Sequence, residues 1–148
     1  MAGPRTKEEA LRQMRFVWFG YIVSIVLYVW VGETMPGLSW LNFSRAGETF
    51  VILGVLDLLY FSWSKRKRYY PALEGIQSQP ENIRTVRRWM NSWIVLVCIA
   101  QSEALFGLVF RMGDKTLQQS LPFYVVGFLL TLWLWPRQVW SSTSNAAQ

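Results

Sequence analysis

A chain of 148 residues that is 52% hydrophobic and 16% aromatic is too apolar for the core of one water-soluble domain, so a second, lipid solvent is implied. With no histidine and a single cysteine, Cys98, the sequence excludes an intrachain disulfide, a zinc cluster, a haem ligand pair and a Cys-His couple, and no cofactor or metal is expected. The net charge of +6 flanks apolar runs, where it sets topology and meets anionic headgroups, so nucleic acid is not needed to explain it.

In chain order, "TKEEALRQMR" places Thr6 and Glu9 in capping-box spacing, which predicts a helix starting near Lys7 and running into a first apolar span at 16–31. That span carries Trp18 and Trp30 and is followed by "VGETMPG" rather than a small-x-small cleavage site, so it is read as a retained anchor and not a removed signal. A breaker-rich loop with Trp40 at the interface leads to a second span at 46–64.

The segment 65–89, "KRKRYYPALEGIQSQPENIRTVRR" and Trp89, reads as the largest wet loop. Pro71 and Gly75 limit a short helix in it, and Pro80 suits the first turn of another that runs unbroken into a third span at 90–112. A fourth span at 119–136 precedes a polar tail, "SSTSNAAQ" (141–148), expected to be disordered. A spanning helix needs about 17–25 residues, and interfacial Trp and Tyr complete the shorter runs. The expected fold is all-α, a four-helix transmembrane bundle forming one membrane domain over residues 1–148.

Orientation follows from the basic residues. Arg5, Lys7, Arg12, Arg15, Lys65, Arg66, Lys67, Arg68, Arg84, Arg87, Arg88 and Arg137 fall on one side, and only Arg45, Arg111 and Lys115 on the other. The positive-inside rule then puts both termini in the cytoplasm, with the spans in a bacterial inner membrane or its equivalent.

Helices in lipid associate through small residues and interhelical hydrogen bonds, and each span offers such a stripe: Gly20, Ser24 and Tyr28; Gly47, Gly54 and Asp57; Ser92, Glu103 and Gly107; Tyr124, Gly127 and Thr131. Packing alone does not require acids. An intramembrane carboxylate costs from about 2.5 kcal/mol upward, so Asp57 and Glu103, each mid-span, are the candidate proton or ion site. Ser102, Tyr60, Gly107 and Tyr124 are the supporting polar and small residues, and hydrogen-bonding glue is the alternative use of the acids. Arg111 is expected to snorkel outward with Asp114 as its partner.

Catalytic chemistry finds no footing: there is no nucleophile and base pair, no phosphate-cradling glycine loop and no wet-side acid-base couple. Lys65, Arg66, Lys67, Arg68, Arg84, Arg87 and Arg88 are candidates for anionic lipid headgroups. The expected partners are therefore a bilayer with anionic lipids and either a second copy of the chain or a membrane-complex subunit.

"EALFGLV" (Glu103 to Val109) resembles the carboxylate helix of the rotary ATP synthase c subunit, the proteolipid, and "EGIQSQPE" (Glu74 to Glu81) is similar to that family's polar loop. The resemblance implies a hairpin of the second and third spans in which Glu103 takes and releases a proton or sodium ion. Where that family has a ladder of small residues, this second span carries Phe50, Tyr60, Phe61 and Trp63. The expected function is proton or cation movement, or its coupling, through a midplane carboxyl. Its alternatives are a structural or assembly subunit and an anionic-lipid-binding membrane protein.

Overall fold

The computed structural model describes residues 6–35, 46–113 and 116–136. The chain is all-α, a four-helix bundle of α1 (Lys7–Thr34), α2 (Ala46–Ser64), α4 (Ile83–Met112) and α5 (Leu117–Trp133), with a short α3 (Tyr70–Ser78) between the second and third long helices. The interfacial loop with Trp40, Asp114 and the polar tail lie outside the described residues.

The first helix starts where its sequence says. Thr6 Oγ1 accepts from the Glu9 backbone N–H at 3.2 Å, and Glu8 and Glu9 complement the positive helix end. The helix ends at Thr34 because Met35, extended at φ −83° and ψ 133°, precedes Pro36, whose ring disfavours helical backbone in the residue before it.

The segment 65–89, read as a wet loop with a short helix in it, is helical over most of its length. Past Ser64 the backbone stays right-handed through a π-helical turn, Lys65–Tyr69, straight into α3. A proline ring clashes with the carbonyl four residues back in a regular α-helix, and this widened turn lies directly ahead of Pro71, with Tyr70 N–H bonded to Lys65 O. Gly75 does not end α3 but lets it approach the start of α4, where an added Cβ would sit 3.3 Å from Thr85 Cγ2. The break comes at Gln79, and Asn82 caps α4 by accepting from Arg84 N–H at 3.0 Å. From there α4 runs unbroken for 30 residues, as predicted, but Pro80 lies in the turn before it and not in its first turn.

Central to the bundle, α4 packs against each of the other helices. Its Trp89, Trp93, Leu96, Val97 and Ala100 meet Met14 of α1, Phe61 of α2 and Ile76 of α3 in one buried cluster. Two indoles tie down the end of α5, whose last carbonyls have no partner within the helix: Trp93 Nε1 donates to Leu134 O at 2.8 Å and Trp18 Nε1 to Thr131 O at 2.7 Å. Trp93→Phe orphans a buried carbonyl and is expected to lower stability by about 1–3 kcal/mol. Trp30→Phe, at a ring 62% exposed, is expected to stay within about 0.5 kcal/mol. Thermal unfolding in detergent compares the two.

The outward faces are apolar and part of the interior is polar. Phe16 is 81% exposed, Ile52 61%, Leu59 62% and Leu129 57%, whereas Glu103 is 2% exposed and Ser120 and Thr131 are fully buried. Among the described residues, α1 and α4 are long and apolar enough to cross a membrane. With 19 and 17 residues, α2 and α5 stand near the lower end of the range of about 17–25 for a spanning helix.

Candidate functional site

Both α2 and α5 lie on α4 but make little contact with each other. The gap between them is a cavity of about 500 Å³, apolar except for Glu103 of α4 and Gln119 of α5. Gly54 of α2 makes room for the acid: a Cβ there would lie 3.2 Å from Glu103 Oε2 and 3.3 Å from the Phe123 ring of α5. Among the described residues no hydrogen-bond partner reaches Glu103 Oε1. A buried acceptor without a donor is destabilising, and proteins keep few of them.

Asp57 lies three residues beyond Gly54 on α2, in a different setting. Ser102 Oγ donates to Asp57 Oδ2 across the α2–α4 contact, and the same hydroxyl is 2.7 Å from Ile99 O. A serine hydroxyl has one proton, so it serves one of these acceptors at a time. Ser102 is the chain neighbour of Glu103 on α4, so both acids stand at the same α2–α4 contact. Asp57, Ser102 and Glu103 are thus brought together.

The remaining supporting residues are placed elsewhere. Gly107 receives the Tyr124 ring, which a Cβ would meet at 3.0 Å, and the Tyr124 hydroxyl points toward Gly32, where a Cβ would be 3.1 Å away. These residues build the α1–α4–α5 contact. At 44% exposure, Tyr60 stacks on Trp63 with ring centroids 5.6 Å apart and so turns outward from the bundle. Arg111 reaches back to α1, its Nε donating to Glu33 Oε1 at 2.9 Å. This cross-helix ion pair had no local signal, since its members are 78 positions apart.

Several buried polar groups were missed: among the described residues Ser64 Oγ and Trp89 Nε1 also have no hydrogen-bond partner. Gln101 is 7% exposed, and among the described residues neither its Oε1 nor its Nε2 has a hydrogen-bond partner. Its signal in the sequence is a lone amide inside "CIAQSEALF".

The seven basic candidates separate into groups. Arg68, Arg84, Arg87 and Arg88 line one depression of about 440 Å³. Lys65 is drawn away, its Nζ 3.9 Å from the centroid of the Trp133 ring. Arg66 and Lys67, exposed like the four arginines, lie outside that depression.

Chemically, the Glu103 cavity offers one carboxyl in apolar walls, which can hold a proton or pair with a single cation. Among the described residues no cluster of three or more metal-ligating side chains forms. No family model, curated protein or solved structure matches this chain.

Proposed function

We propose that the chain is an integral membrane protein with four spans and both termini on the cytoplasmic side, in which Glu103 takes up and releases a proton or small cation within the cavity between α2 and α5. The membrane reading is supported by large apolar side chains on the outer faces of α1, α2 and α5 around buried Glu103, Ser120 and Thr131. A soluble domain rarely leaves so broad an apolar surface to water. The orientation rests on the distribution of lysine and arginine.

The observation that carries the functional reading is the buried Glu103 Oε1, without a hydrogen-bond partner, in the wall of a cavity. Structural glue needs a partner. Asp57 has one in Ser102, and Glu103 Oε1 has none. The likeness of "EALFGLV" to the c-subunit carboxylate helix points to the same residue. Bulky Phe50, Phe61 and Trp63 on α2 keep helix axes apart, so the ring packing of that family is not part of the proposal.

The test uses the full chain in liposomes, comparing wild type with Glu103→Gln by infrared difference spectroscopy of the carboxyl stretch. The expected result is a carboxyl band that changes with pH in the wild type and is missing from the variant. A Glu103 band unmoved at every pH would mean that water never reaches the acid. The chain would then be better understood as a structural or assembly subunit.

A further inference from the structure

We propose that Arg68, Arg84, Arg87 and Arg88 form a built site for one phosphate group, set at the polar end of α4 and independent of the Glu103 cavity. The four arginines line a single depression of about 440 Å³ together with Asn91, Ser92 and Val95. They come from two places. Arg68 belongs to the π-helical turn after α2, and the others to the first two turns of α4. The fold of α3 onto α4, close at Gly75 and Thr85, joins them.

This arrangement is unfavourable without an anion. Like charges repel at this spacing, and the first turn of a helix carries a partial positive charge that favours acids, not arginines. Yet Glu8 and Glu9 occupy that position in α1, while the first turn of α4 has no acid. Among the described residues the ion pair formed between side chains is Arg111 with Glu33, at the opposite end of α4. None of the four arginines takes part in it.

The chemistry of the depression identifies the ligand class. Arginine presents paired N–H donors that match two phosphate oxygens at once, and such charge-assisted bonds are about twice as strong as neutral ones. Asn91 adds a neutral amide. The lining then passes to Val95, inside the apolar part of α4. A phosphate at the arginines is thus followed by an apolar floor, the polarity order of a phospholipid. A free phosphate compound shares the same recognition chemistry.

The experiment uses the full chain in neutral detergent, with binding followed by calorimetry. The probes are dihexanoyl phosphatidylglycerol, glycerol phosphate, inorganic phosphate and, as a zwitterionic comparison, dihexanoyl phosphatidylcholine. Arg84→Gln/Arg87→Gln is set against Arg66→Gln/Lys67→Gln, which removes the same charge outside the depression. Loss of two charge-assisted contacts is expected to weaken phosphatidylglycerol binding by at least about 10-fold, against less than about 3-fold for the outside pair. If the first pair alters the helix content or unfolding midpoint, Arg84→Lys/Arg87→Lys keeps the charge, loses the paired geometry, and is expected to weaken binding while the fold stays intact.

Phosphatidylglycerol bound while glycerol phosphate and inorganic phosphate fail to compete assigns the site to a lipid headgroup. Equal binding by glycerol phosphate or inorganic phosphate assigns it to a soluble phosphate compound. Equal losses in the two charge-matched pairs would overturn the proposal in favour of diffuse surface charge, and so would binding by no phosphate probe at all.

Discussion

Gly127→Ala is expected to lower the stability of the folded chain by about 1–3 kcal/mol, although alanine is the better helix former by about 1 kcal/mol. Gly127 is where α5 lies closest on α4. A Cβ there would stand 2.8 Å from Ala104 N and 2.9 Å from Ala100 O, both backbone atoms. A flexible side chain could swing aside, but helical backbone cannot, so α5 must back away from α4. Close approach of this kind is what small residues provide between helices in lipid, where dispersion contact replaces the hydrophobic drive. Gly20→Ala is the internal comparison, since an added Cβ on α1 meets nothing within 4 Å. It is expected to be neutral or to gain up to about 1 kcal/mol from propensity. Unfolding midpoints of both variants in one detergent decide the matter. If they move alike, the α4–α5 contact is not set by Gly127.

Glu103→Met is expected to do the opposite and raise stability by about 1–3 kcal/mol, the cost of a buried acceptor left without a donor. Methionine has similar length and suits the apolar walls formed by Val51, Leu58 and Phe123. Asp57→Leu is the contrasting change. It removes the hydrogen bond across the α2–α4 contact while Ser102 Oγ keeps Ile99 O at 2.7 Å, and should destabilise by about 0.5–1.5 kcal/mol, the net worth of one hydrogen bond. A protein that keeps a destabilising carboxyl in a cavity trades stability for what that carboxyl does, a common balance at functional sites. Destabilisation by Glu103→Met, measured in the same unfolding assay, would mean that the acid supports the fold, and the glue reading would replace the proton-handling one.

The two acids show how far the sequence reaches. Asp57 and Glu103 were both legible as mid-span carboxylates from their positions in apolar runs. Their different fates were not. One has a serine across a helix contact, and the other faces a cavity with Oε1 unpartnered. That difference depends on how each helix is rotated about its axis, and the total packing of the neighbours sets rotation. For the same reason Tyr60 was grouped with Glu103 by its place in the second span but turns outward onto Trp63.

Sequence alone determined what depends on local chemistry and length. Thr6 and Glu9 set the start of α1, the apolar runs set the long helices, and no breaker falls between Pro80 and Gly107 to interrupt α4. Each of these follows from hydrogen bonds and excluded volume within a few residues of one another. Tertiary structure decided the rest: the pairing of Arg111 with Glu33, the Gly54 gap that admits the Glu103 carboxyl, and the gathering of Arg68 with Arg84, Arg87 and Arg88. These features join residues separated by 16 to 78 positions, and only the packing of one helix against another fixes such contacts.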